Sequence, residues 1–213
     1  IIILVLSSMT VATTVLISRY FGAGDPEKAK SVSNASIYSL SFFSIVVTLL
    51  IYGFQRPLFQ WLQVPNDILD ETCSYTVIVS TCILIQAIYM VFASILRSHK
   101  LMKYVTFVAI IMNTLNILGN AILINGLFGF PRLGIIGAAI STNISKFIGL
   151  VIIILVFLKK TNMGLGFLNL KYFSFKMAKK VLLIAVPSGG EAFSYQMSQL
   201  IILRFVNTFG TMV

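Results

Sequence analysis

Glu191 is the residue of this chain best placed to do chemistry. It lies about ten residues, roughly 15 Å, inside an apolar run. Ser188, Ser194, Tyr195, Ser198 and Gln199 stand at i−3, i+3, i+4, i+7 and i+8 from it, one stripe of a helix. A carboxylate among hydroxyls and amides at that depth can take a proton from one side and release it to the other, because protonation removes the cost of holding charge away from water. Lys146 sits at the centre of a second run, with Thr142 and Asn143 one turn earlier. Charge at such depth costs at least about 2.5 to 3.5 kcal/mol on insertion scales, so both residues should face protein or water. One expectation is a Lys146–Glu191 attraction; the alternatives are a lysine reaching backbone or internal water and a glutamate bonded to serine hydroxyls. Asn113, Asn116 and Asn120 share one face of a third run, and Gln86 and Tyr89 are three apart in a fourth. Such groups are costly in hydrocarbon unless they line a cavity or bridge helices, which makes them candidates for a polar cavity taking a substrate or ion.

The elements that must carry these residues are membrane helices. Of 213 residues, 58% are hydrophobic and only 10% charged, and the mean hydropathy is +0.96, too apolar for a soluble domain to cover its core. Six apolar segments, near 1–21, 33–54, 73–96, 104–128, 134–158 and 181–209, each approach or exceed the roughly 20 residues that cross a bilayer. With no water to satisfy the backbone, all six are expected to be helices, giving an all-α polytopic bundle. The formal charge of +10 follows membrane sidedness. Arg19, Lys28, Lys30, Arg97, Lys100, Lys103, Lys159, Lys160, Lys171, Lys176, Lys179 and Lys180 fall on one side, and Arg56 and Arg132 on the other. The positive-inside rule makes the first side cytoplasmic. The basic residues form no arm or face, so nucleic acid is not an expected partner.

The connections have their own signals. FGAGDPEKAK (21–30) reads as a helix C-terminus at Gly22 and Gly24, then a new helix opening at Asp25-Pro26-Glu27. The outer link 55–72 suggests a short interfacial helix with Phe59 and Trp61 at headgroup level, then a turn and cap at Pro65-Asn66-Asp67. Residues 159–180 carry six lysines and read as a basic loop, or an amphipathic surface helix on anionic lipid, joining two units. Pro187, with Gly189 and Gly190 after it, is expected to bend the last helix and act as a hinge. Arg204 should snorkel to the outer interface. Cys73 and Cys82, nine apart on one expected helix, are too distant to bridge. The lone His99 has no metal-completing neighbour, and no Walker loop, dinucleotide fingerprint or nucleophile–His–acid set is present, so neither an enzyme nor a metal site is expected. The chain opens without an initiator Met or basic n-region and is expected to be an internal fragment.

VATTVLISRYFGAGDPEKAK (11–30), ILRS (95–98), NTLNILGNAILINGLFGFPRLGIIGAAIST (113–142) and AVPSGGE (185–191) together resemble the multidrug and toxic compound extrusion (MATE) family. The resemblance implies twelve helices in two six-helix lobes around a cavity that alternates its access. On that reading residues 1–158 form five helices of the N-terminal lobe, 159–180 the cytoplasmic inter-lobe loop, and 181–213 the first helix of the C-terminal lobe. It also implies a monomeric multi-pass protein of the plasma membrane that exports cationic or amphipathic small molecules in exchange for protons or sodium ions, without a cofactor. Two departures stand out. HKLMKYV follows ILRS where many members continue with a glycine and later a proline, and Tyr195 stands where NorM-type members place an acidic cation ligand. A flippase of lipid-linked saccharides is the nearest rival, with a truncated, non-transporting membrane protein the other alternative. Only Lys146 offers the cationic charge at depth that a pyrophosphate would need.

Overall fold

In the first connection, Gly24 takes the left-handed φ of +73° that ends one helix, and Asp25 opens the next by accepting a hydrogen bond from the Lys28 backbone N–H at 3.1 Å. Hydrogen bonds from Lys28, side chain first and backbone second, hold the Asp25 carboxyl below the usual range; Asp25 raises the Lys28 ammonium in return. This turn joins α1 (Ile2–Gly22) to α2 (Pro26–Trp61), as the glycines and Asp-Pro predict. The computed structural model describes residues 2–129, 131–161 and 163–208. Within them follow α3 (Asn66–Thr81), α4 (Ile83–Ser98), α5 (Met102–Asn125), α6 (Gly134–Lys160) and α7 (Phe175–Thr208), with 3-10 turns at Leu127–Gly129, Leu165–Leu168 and Leu170–Tyr172. No strand occurs among the described residues, so the fold is the expected all-α bundle.

Three expectations about boundaries are corrected. No separate interfacial helix follows residue 54, because α2 continues through Pro57 to Trp61 and α3 starts at Asn66. Arg56 and Asp70 meet at 3.2 Å beside that turn, and no side chain caps α3. Segment 73–96 is a bent pair, broken at Cys82 with 40° between α3 and α4. Neither proline nor glycine stands there. The break is held from outside, since Asn143 of α6 donates to the Ile78 carbonyl at 2.6 Å and Thr48 of α2 donates to that of Ser80 at 3.3 Å. Finally, α7 begins at Phe175, so Lys176, Lys179 and Lys180 lie on the helix. It passes Pro187 without interruption. Among the described residues helices α1, α2, α5 and α6 are each long and apolar enough to cross a membrane, and α3 with α4 would make a fifth if the bent pair is one span. The segment expected at 181–209 does not join them: α7 falls outside the spans that length and apolarity pick out among the described residues.

Packing follows small residues, as expected where apolar surface alone does not favour helix against helix over helix against lipid. At Gly119 a Cβ would stand 2.3 Å from Ser141 Oγ, and at Gly137 it would stand 2.6 Å from the Leu123 carbonyl oxygen, so α5 and α6 lie backbone to backbone. The dry core lies among α1, α2 and α4, with Leu6, Ile17, Leu40, Phe92 and Ile95 essentially inaccessible. Phe92 meets Phe157 edge-on at 5.1 Å, and Phe157 meets Phe167 at 5.8 Å. Phe167 belongs to the basic linker, which is therefore pinned to the core at that point. Asn34, wholly buried in α2, donates to the carbonyls of Phe167 and Asn169, and Tyr38 one turn on donates to that of Leu168. Helix α7 packs on α1 through Ala178, Val181 and Ala185, and Gly189 sits opposite Ser8. Its two ends are clipped to aromatics. Lys180 donates to the Tyr20 hydroxyl at 2.9 Å, and Arg204 stacks over Trp61 at 4.7 Å.

Candidate functional site

The polar residues singled out by the sequence separate into three places. On α5, Asn120 donates to the Asn116 side-chain oxygen at 3.3 Å, and Asn116 donates to Thr142 Oγ1 of α6 at 3.1 Å. Ser141 returns a bond to the Asn116 carbonyl at 3.1 Å. The close approach at Gly119 makes this ladder reachable, because short side chains then span the gap between the helices. Asn120 Oδ1 is buried without a donor, which leaves the ladder one open acceptor. Asn113 stands exposed one turn earlier and joins no side-chain hydrogen bond among the described residues.

The second place is a cavity of about 270 Å³ that brings Lys146 and Gln86 together with Tyr75, Thr76 and Ser80 of α3. Tyr89 does not share it; it is packed into the core of α1, α2 and α4, so the candidate Gln86–Tyr89 pair is split between the cavity and the packed core.

The third is α7. Glu191, Ser188, Tyr195, Ser198 and Gln199 are all exposed, and the described chain leaves the polar stripe uncovered. Ser194 and Ser198 back-bond to the Gly190 and Ser194 carbonyls. No ion pair joins Lys146 to Glu191. Ile3 and Leu6 of α1 line the Lys146 cavity, while Val5, Ser8 and Met9, on another face of α1, meet α7 across a groove of about 810 Å³ that includes Gly189 and Gly190. Helix α1 stands between the two charges. Their matching depth in sequence said nothing about that wedge.

Three participants had little or no sequence signal: Tyr75 and Thr76, which read as ordinary positions of an apolar run, and Asn34, whose partners are 133 and 135 residues away. No group of three potential metal ligands occurs among the described residues.

The MatE family model matches residues 1–122. The chain belongs to the MATE family. It is 34% identical over 209 residues to an uncharacterized transporter, YisQ, of Bacillus subtilis (strain 168), covering 98% of this chain and 46% of that protein. It shares its fold with an inward-facing multidrug resistance MATE transporter of the MOP superfamily at a TM-score of 0.81, 23% identical, over 96% of this chain and 45% of that one. An outward-facing structure of such a transporter matches at 0.82, 22% identical, over 93% and 43%. The chain thus spans about half the length of the MATE proteins it matches, and it is part of a multi-pass membrane protein of a multidrug transporter family.

Proposed function

We propose that the MATE protein to which this chain belongs is a secondary antiporter that exports cationic or amphipathic small molecules in exchange for protons or sodium ions by alternating access. The observation that carries this reading is the Asn116–Asn120–Thr142 ladder with its open acceptor, together with the separate cavity that holds Lys146, one turn beyond Thr142 on α6. Rigid helices position these groups, and an amide oxygen without a donor is a natural partner for a cation or a protonated ligand. The equal fit to inward- and outward-facing relatives supports a half that keeps its internal arrangement while access changes. Residues 1–158 then form most of one lobe, 159–180 the connection, and 181–213 the start of the second lobe. Its exposed carboxylate stripe would face the exchange path, and residues 187–190 would supply the bend. The protein would act as a monomer of the cell membrane, without cofactor or chemical catalysis. A saccharide-lipid flippase is less well supported, because a single lysine falls short of the several cations a pyrophosphate requires.

The test is efflux of ethidium by the full-length protein in proteoliposomes under an imposed proton or sodium gradient. Glu191→Gln is expected to reduce gradient-driven efflux about fivefold or more and to flatten its pH dependence, the scale of a typical coupling between two sites. Unchanged rate and pH profile would remove Glu191 from coupling.

A further inference from the structure

The Lys146 cavity holds unpaired donors and no carboxylate. The Lys146 ammonium makes no ion pair and no hydrogen bond among the described residues, and neither do the side chains of Gln86 and Tyr75 that line the same space. The two hydroxyls nearby are committed: Thr76 donates to the Thr72 carbonyl at 2.8 Å and Ser80 to that of Val77 at 2.9 Å. Asn143, one turn before Lys146 and not part of the cavity lining, donates to the Ile78 carbonyl at the α3–α4 break, which fixes one wall, while its Oδ1 is buried without a donor. The acids of the chain are elsewhere. Asp25 and Glu27 pair with Lys28 and Lys30, Asp70 pairs with Arg56, Asp67 and Glu71 share that outer turn, and Glu191 lies beyond α1.

We propose that this cavity is an anion-binding subsite that receives the carboxylate of an amphipathic substrate. One ammonium matches one negative charge, and an amide and a phenol complete the donor set a carboxylate needs; a phosphate dianion or pyrophosphate would call for further cations. The rest of the wall, Leu6, Ile51, Val79 and Ile83 among it, suits the apolar body attached to such a group. The inference rests on the transporter reading and narrows its substrate class, from cationic or amphipathic small molecules to amphiphiles that carry a carboxylate, alone or as zwitterions.

The experiment titrates the purified full-length protein with two fluorescent probes that share a dansyl body, the anionic dansylglycine and the cationic dansylcadaverine. Saturable binding of dansylglycine is expected, weakened about tenfold or more by Lys146→Met, with dansylcadaverine binding retained. Retained cation binding also shows that the variant is folded. Absence of saturable dansylglycine binding, equal binding by wild type and Lys146→Met, or equal loss of both probes would each overturn the subsite, the last by making Lys146 structural. Ethidium efflux in the same preparation tests the parent reading separately. Driven efflux without anion binding sinks only the subsite, whereas no driven efflux from wild type sinks the transporter reading.

Discussion

Asparagine is used in opposite ways on α2 and on α5. Asn34 is wholly buried and spends its amide N–H donors on two backbone carbonyls of a segment more than a hundred residues away, whereas Asn116 and Asn120 are half-buried and bond mainly to other side chains, at 3.1 and 3.3 Å; Asn34 and Asn120 each keep a buried Oδ1 without a donor, so the contrast lies in the donors. A backbone carbonyl in a packed turn has nowhere else to go, so the first arrangement has a single solution. Side chains can rotate to new partners, so the second has several. The contrast separates an amide that holds the fold from amides that can answer a ligand, although both sit in helices of similar apolarity.

Three substitutions sharpen or break that contrast. The largest stability loss is expected for Asn34→Leu, which strands the Phe167 carbonyl in a dry site, while the Asn169 carbonyl keeps the Tyr172 N–H at 3.0 Å. A loss of about 1 to 3 kcal/mol, read as a lower thermal midpoint in detergent, would fit the cost of an unpaired buried acceptor. Tyr38→Phe removes one donor, to the Leu168 carbonyl at a partly buried position, and should cost about 1 kcal/mol in the same measurement. Asn116→Ala should be mildest for stability, about 0.6 kcal/mol, the average for a side-chain hydrogen bond between membrane helices. Its effect should appear instead in transport. If Asn116→Ala destabilised the protein as much as Asn34→Leu while leaving efflux untouched, the two amides would be playing the same structural part and the contrast would fail.

What the chain discloses about itself depends on the range over which the cause acts. The α1–α2 turn was readable because Gly24, Asp25 and Pro26 act within one turn of helix. The spans were readable because hydrocarbon imposes one length and one kind of backbone on them. The break at Cys82 was not, since no local residue demands it; Asn143 and Thr48, on two other helices, hold the freed geometry. The linker likewise looked like a solvated basic loop because its lysines dominate the composition, while Phe167, which anchors it, is a single residue. For the site, the face shared by Asn116 and Asn120 was legible from helical spacing. The separation of Lys146 from Glu191 was not, because equal depth along two helices carries no information about the third between them.

The clips at the two ends of α7 have a mechanical consequence. With Lys180 tied to Tyr20 toward one end and Arg204 laid on Trp61 toward the other, the helix is a shaft held at two points. Both contacts resist sliding of the ends, so torque on the helix is relieved most easily where the shaft is most compliant. That place is the turn around Pro187, where the Leu183 carbonyl has lost its usual amide partner and Gly189 and Gly190 resist rotation least. Twisting there would re-aim Glu191 without loosening either clip.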